Sequence, residues 1–83
     1  MSEEEEKGIK AYVLMVVEIG SDHDVAEKVR EIDDDVKVHT DLVFGEFDIV
    51  AVIEAPSIRK LDKVITKIRR LPGVLKTVTL VAS

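Results

Sequence analysis

The sequence predicts an α+β fold with the element order βαββαβ, in which a four-stranded antiparallel sheet ordered 4-1-3-2 carries two helices on one face. Three observations lead to this prediction. Two runs, at residues 9–19 and 49–53, are apolar on both alternating faces through their middle, as strands covered on both sides are. Two segments have the apolar periodicity of amphipathic helices. The segment 42–48 joins two strand-like runs through Gly45, which is typical of a β-hairpin.

The length of 83 residues indicates a single domain, near the size at which association between copies adds to stability. Residues 1–8 contain four consecutive glutamates and no apolar periodicity, so they are predicted to form a flexible acidic tail. Residues 9–83 form the domain. Its three aromatic residues are Tyr12, Phe44 and Phe47, so the core is expected to be aliphatic.

Composition excludes several classes of function. The chain has no cysteine, which removes disulfides, thiolate metal sites and thiol nucleophiles. Its net charge of -5 opposes direct binding to nucleic acid. No apolar run is long enough to span a bilayer and the acidic start does not resemble a secretory signal, so a soluble cytoplasmic protein is expected. His23 and His39 lack further ligands at metal spacing, and no catalytic constellation can be assembled. We expect no metal, cofactor or catalysis.

The first strand, residues 9–19, leads to Ser21, which is predicted to cap the first helix. That helix runs to about Ile32 with Val25 and Val29 on the same stripe. Residues 36–43 alternate apolar and polar positions, which predicts an edge strand with one wet face.

After the hairpin and the central strand 49–53, Pro56 ends the strand and Ser57 is predicted to cap the second helix. Pro72 and Gly73 mark its end. In the last strand, 74–82, one predicted face holds four residues, Leu75, Thr77, Thr79 and Val81.

The two helical segments have opposite charge. Residues 21–35 hold seven acidic and two basic side chains, a net charge of -5, whereas the second helix holds six basic and one acidic, a net charge of +5. Because both helices are expected on the same side of the sheet, mutual compensation is the favoured interpretation over a phosphate or membrane site.

This order of elements gives a ferredoxin-like (ACT-like) fold with right-handed crossovers. The sheet face without helices is then apolar and uncovered, which a soluble monomer rarely tolerates. We therefore expect a dimer formed by packing these open faces.

Asp48 is the residue that most needs an explanation. It begins a central strand, where a carboxylate is unfavourable unless it is hydrogen-bonded or faces a cation such as the ammonium of a free amino acid. Gly45 is explained by a turn that needs a positive φ or a close approach of the backbone. Thr77 and Thr79 suit an edge strand through their β-branching.

Several motifs together resemble the C-terminal effector domain of the Lrp/AsnC (leucine-responsive, feast/famine) transcriptional regulators. They are Leu-Val-Phe-Gly-Glu-Phe-Asp at 42–48, Leu-Pro-Gly-Val at 71–74 and Thr-Val-Thr-Leu at 77–80. The similarity extends from about Ile9 to Ala82. Only the acidic tail precedes the first strand, so the chain looks like a stand-alone effector domain of the RAM or SraM type, without the helix-turn-helix domain.

The resemblance implies sheet-to-sheet dimers, rings of eight or ten copies, and an amino-acid effector bound between dimers. It places the ligand site at eight residues: Leu42, Gly45, Phe47, Asp48, Ile58, Thr77, Thr79 and Leu80. Asp48 would bind the ammonium, the Thr hydroxyls and the backbone near Gly45 the carboxylate. Such a sensor would bind at roughly micromolar affinity, and it would regulate transcription by co-assembling with full-length regulators of the family.

Two alternatives remain open at this point. An ACT-like module has the same topology and similar ligands. A purely structural oligomerisation module would use the hairpin only to pack against neighbouring copies.

Overall fold

A computed structural model describes residues 8–82 and shows the predicted order of elements. Its six elements are β1 (Ile9–Val17), α1 (Asp22–Arg30), β2 (Lys37–Leu42), β3 (Ile49–Ala55), α2 (Ile58–Arg69) and β4 (Val74–Val81). The sheet order is β2-β3-β1-β4 and all three strand pairs are antiparallel. The predicted fold class and sheet order are therefore confirmed, while residues 1–7 of the predicted tail lie outside the described part of the chain.

The core lies between the sheet and the two helices. Every second residue of β1, from Ala11 to Val17, is buried, and the same is true of β3 from Ile49 to Ala55. The helices contribute six buried residues, Val25, Ala26, Val29, Leu61, Val64 and Ile68. This aliphatic core agrees with the prediction from composition.

The opposite sheet face is apolar and open. Tyr12, Leu14 and Val16 of β1 are half-buried, and the strand pairings place Val52 and Val78 beside them on neighbouring strands. Leu80, at 53% exposure, lies next to Tyr12. Within a single chain, the helices therefore cover one of the two apolar faces of β1 and leave the other face open.

The helix starts differ from each other in their capping. Ser57 accepts a hydrogen bond from the amide of Lys60 at 3.1 Å, as predicted. Ser21 occupies the N-cap position of α1, but its side chain makes no capping bond, and its backbone is already in the helical region. The prediction of a side-chain cap there was wrong, because a capping residue typically has an extended backbone and Ser21 does not.

The first helix also ends earlier than predicted, at Arg30. Ile32 still packs against the core, from the turn that follows the helix. The apolar periodicity therefore marked the packing stripe correctly and the helix end two residues too late.

The start of β4 departs from simple alternation. A register shift between Val16 and Val17 pairs Val74 with Val17, and Val74 packs against the core. Simple alternation along 74–82 predicts Val74 on the face opposite Leu75, Thr77 and Thr79, together with Lys76. A bulge adds one residue to a strand and exchanges the faces beyond it, which alternation alone cannot reveal.

Candidate functional site

The hairpin at residues 43–48 projects from one end of the sheet. The amide of Val43 donates to the carbonyl of Asp48 at 2.9 Å and closes a four-residue loop, 44–47. Gly45 has a φ of +127°, a conformation that favours glycine, so its predicted role in the turn is confirmed. Phe44, next to it, is fully exposed.

Asp48 connects the base of the hairpin to β1. Its amide donates to the carbonyl of Met15 at 2.8 Å, and its carboxylate oxygen Oδ2 accepts a hydrogen bond from the amide of Val17 at 2.9 Å. The sequence predicted that this carboxylate needs a hydrogen-bond donor or a cation, and the amide of Val17 supplies one such donor. Oδ1 makes no hydrogen bond among residues 8–82.

The pattern of backbone hydrogen bonds along β1 explains why the side chain of Asp48 is needed at this position. The amide of Ala82 donates to the carbonyl of Lys10, so the even-numbered residues of β1 bond to β4 and the odd-numbered ones to β3. Val17 is the next odd residue after Met15, but β3 begins only at Ile49, opposite Met15. The carboxylate of Asp48 replaces the missing backbone acceptor.

A groove runs between α2 and β4, with a volume of about 420 Å³. Its seven lining residues are Ile65, Arg69, Val74, Leu75, Lys76, Thr77 and Thr79. This volume falls in the range of sites for small organic ligands. Thr77 and Thr79 pair with Met15 and Val13, which are buried on the helix side of the sheet, so both hydroxyls belong to that side.

The outer edge of β4 adds backbone groups to the groove. Because the even-numbered residues of β4 bond to β1, the amides and carbonyls of Thr77 and Thr79 point away from it. Among residues 8–82, no further strand lies beyond β4 in the sheet order. The groove therefore combines two hydroxyls, outward amide groups, apolar side chains and the guanidinium of Arg69.

The structure brings only part of the predicted ligand set together. Leu42, Gly45, Phe47 and Asp48 lie at the hairpin end of the sheet, whereas Thr77 and Thr79 lie across β1, roughly 10 Å away if two strand spacings separate them. Ile58 begins α2 just after β3 ends at Ala55, which pairs with Ile9, and this is the opposite end. Leu80 is on the open face, beside Tyr12. Within one chain these eight residues do not line a single pocket.

The sequence did not single out Arg69, Ile65 or Lys76. Arg69 and Ile65 are four residues apart on one face of α2, and that face is turned toward β4. The spacing was visible in the sequence. The sequence did not show which side of the helix faces the edge strand.

A second, more open cavity, of about 480 Å³, lies beside the turn after α1 and is lined by Glu31, Ile32, Asp33, Asp34, Asp35, Lys60 and Lys67. Asp33 contacts Lys60 at 3.2 Å and Lys67 at 3.4 Å, and Lys60 also contacts Asp35. These pairs confirm the predicted compensation between the two helical segments.

Hydrogen bonds shift the pKa values of Asp33 and Lys60, the two members of the main ion pair. The amide of Asp35, followed by the ammonium of Lys60, lowers the pKa of Asp33 below its ordinary value. The hydrogen bond to Asp33 raises the pKa of Lys60. Asp33, Asp35, Lys60 and Lys67 are paired with one another, so these four side chains form an internal salt-bridge cluster.

No group of three or more potential metal ligands comes together among residues 8–82. Neither helix of this part of the chain has the length and apolarity that crossing a membrane requires.

Comparison with protein families gives one match. The model of the Lrp/AsnC ligand binding domain matches residues 10–83. No curated protein sequence matches significantly.

Solved structures with the same fold fall into two groups. The protein FFRP-DM1 is 34% identical with a TM-score of 0.81, over 90% of this chain and 99% of that one. The hypothetical protein PHS023 from Pyrococcus horikoshii is also 34% identical with a TM-score of 0.80, over 90% and 89%. A feast or famine regulatory protein from M. tuberculosis, solved in complex with L-methionine, is 19% identical with a TM-score of 0.68, over 99% of this chain but 54% of its own. At that identity the likeness shows the fold alone.

Proposed function

The chain belongs to the family of Lrp/AsnC ligand-binding domains, and on this premise we propose that it is an oligomeric regulatory domain that senses a small effector, an amino acid, without catalysis. The observation that carries the proposal is the division of the predicted ligand residues by β1. The carboxylate of Asp48 and the hydroxyls of Thr77 and Thr79 suit the two ends of an amino acid, yet they lie apart in one chain. A site between copies would bring one end from each.

Association through the open sheet face is the first step. Tyr12, Leu14 and Val16 form an apolar row on the central strand, and the adjacent strands extend it with valines. Such a face is covered by a partner in soluble proteins. A second copy offers a surface of the same chemistry and pairs by two-fold symmetry.

Assembly of dimers into a ring is the second step, and the hairpin tip supports it. Phe44 and Ile19 are both fully exposed, and both lie at the end of the sheet that carries Asp48, because Ile19 directly follows β1 there. Contacts at this end would place the Asp48 of one copy against the β4 region of the next. Rings of eight or ten copies are the stoichiometries we propose.

Regulation would follow from differential binding. An effector shifts an assembly only by its difference in affinity for two states. Leu42, Phe47, Ile58 and Leu80 would shape the apolar part of the interface site. Because a longer feast or famine regulatory protein shares this fold, we propose that this chain can co-assemble with full-length regulators and so alter transcription.

Calorimetric titration with each of the twenty amino acids tests the sensor. We expect binding at roughly micromolar affinity and its loss in Asp48→Asn, which keeps an oxygen acceptor for Val17 but removes the charge that an ammonium needs. Absence of heat with all twenty would instead favour a purely structural oligomerisation module.

Sedimentation equilibrium tests the dimer. Leu14→Glu places a charge at the centre of the open face and should reduce the mass to that of a monomer. Thr66→Glu, on the exposed side of α2, is the control and should leave the mass unchanged. A wild-type monomer at micromolar concentration would contradict the proposed interface.

A further inference from the structure

The groove between α2 and β4 has a charge opposite to that of the chain. The chain carries a net charge of -5, but among the described residues the lining of the groove includes the cation Arg69 and no carboxylate. Lys76 also borders the groove, but it pairs with Val16, so its side chain belongs to the open face of the sheet. Arg69 forms no ion pair with any residue between 8 and 82. By contrast, Lys60 and Lys67 on another side of the same helix are paired with Asp33. The groove is therefore a local positive site in an acidic molecule.

Its hydrogen-bonding groups also suit an anion. The two Thr hydroxyls can donate, and the outward amides of Thr77 and Thr79 are donors on an edge that no strand of the sheet covers. Guanidinium groups bind carboxylates through two parallel hydrogen bonds. The proposed function uses the Thr hydroxyls for the α-carboxylate of the effector, so Arg69, which lines the groove from α2, is the donor that remains for a further carboxylate.

We propose that this groove selects an effector with a second carboxylate, namely an acidic amino acid or a related small dicarboxylate, and that Arg69 is the residue that reads the extra charge. This inference rests on the proposed function, which accounts for the binding of the ammonium and the α-carboxylate of the effector. It adds the class of effector, which that function leaves open.

The described residues that line the groove include no carboxylate, and this makes the site selective. An ammonium in the groove would face Arg69 without an anionic partner, so the ammonium of an amino acid must lie elsewhere, as at Asp48 of a neighbouring copy. A neutral amide in place of the second carboxylate would keep the shape and lose the charge-assisted bonds. Selectivity therefore follows from charge rather than from size.

Paired titrations of the 83-residue chain test this inference. L-Glutamate and L-glutamine differ little in shape, and we expect glutamate to bind at least about tenfold more tightly. Arg69→Gln should weaken glutamate by about 10- to 100-fold and leave glutamine nearly unchanged. Arg59→Gln, the same change at an exposed position outside the groove, should alter neither. Urea midpoints of both variants check that they fold.

The outcomes separate this inference from the proposed function. If glutamine binds as tightly as glutamate, or if Arg69→Gln does not alter glutamate binding, the selection for a dicarboxylate is overturned while the sensor stands. If no amino acid binds but succinate does so in an Arg69-dependent way, the groove is supported and amino-acid sensing is overturned. If neither amino acids nor succinate bind, both are overturned.

Discussion

Replacing Asp48 by alanine or asparagine separates the structural role of this carboxylate from a role in binding. In the folded chain Oδ2 accepts the amide hydrogen of Val17 at 2.9 Å, and Val17 is only 6% exposed. Alanine removes the acceptor and leaves a nearly buried amide without a partner. Asparagine keeps a neutral oxygen of similar reach.

The expected magnitudes follow from the type of bond. A hydrogen bond to a charged group contributes about 1.5–3 kcal/mol and a neutral one about 0.5–1.5 kcal/mol. Asp48→Ala should therefore lower the free energy of unfolding by about 2 kcal/mol, and Asp48→Asn by about 1 kcal/mol. For a domain of this size each kcal/mol corresponds to roughly 4–8 °C in Tm.

Urea unfolding at one fixed protein concentration measures both variants, because the stability of an oligomer depends on concentration. If Asp48→Ala were as stable as the wild type, the bond to Val17 would not explain why a carboxylate begins a central strand. A loss of ligand binding in Asp48→Ala is ambiguous, since that variant is also destabilised. Asp48→Asn is the variant that reports on the ammonium site.

Three further predictions concern the ion pair, the core and Gly73. The pKa of Asp33 in the folded chain is lowered from 3.8, so the stabilisation by its ion pairs is present above that pH and is lost as the pH falls through the folded value. Asp33→Asn should therefore flatten the decrease in urea midpoint between about pH 5 and about pH 2, and an unchanged slope would contradict this. Ile68→Ala, at a fully buried position, should lower the free energy of unfolding by about 2–5 kcal/mol, measured by the same urea titrations, and a loss below about 1 kcal/mol would show that the site collapses. Gly73 has a φ of +93°, and an added Cβ would lie 3.3 Å from Ser21 and Val25, so Gly73→Ala should be destabilising by about 1–3 kcal/mol. Gly45→Ala, where nothing lies within 4 Å of the added Cβ, should lower the Tm less, and an equal loss in both variants would assign it to the backbone conformation alone.

Much of the fold was readable from periodicity. The strand order could be predicted because β1 and β3 are apolar on both faces and β2 alternates, which assigns central and edge positions without any long-range information. The hairpin was readable because Gly45 and the change from one strand pattern to the next fall together. The prediction failed at Ser21 and at Val74, where a backbone conformation and a bulge decided the outcome.

The candidate site was less accessible. The sequence indicated Asp48 as a residue requiring a partner, but it could not identify Val17, 31 positions away, as that partner. It placed Thr77 and Thr79 on one face of an edge strand, and it grouped Arg69 with the other cations of the helix. Only the packing of α2 against β4 separates Arg69, at the groove, from Lys60 and Lys67, which are paired with Asp33.

The sequence by itself determined the class of fold, the two central strands, the open apolar face and the turn at Gly45, because alternation and turn chemistry are local properties of the chain. The tertiary structure decided which charges pair, which cation borders the groove, and that Asp48 completes the ladder of β1. Those outcomes depend on distances between elements far apart in sequence, and a difference of one residue in register or of a quarter turn in a helix changes them.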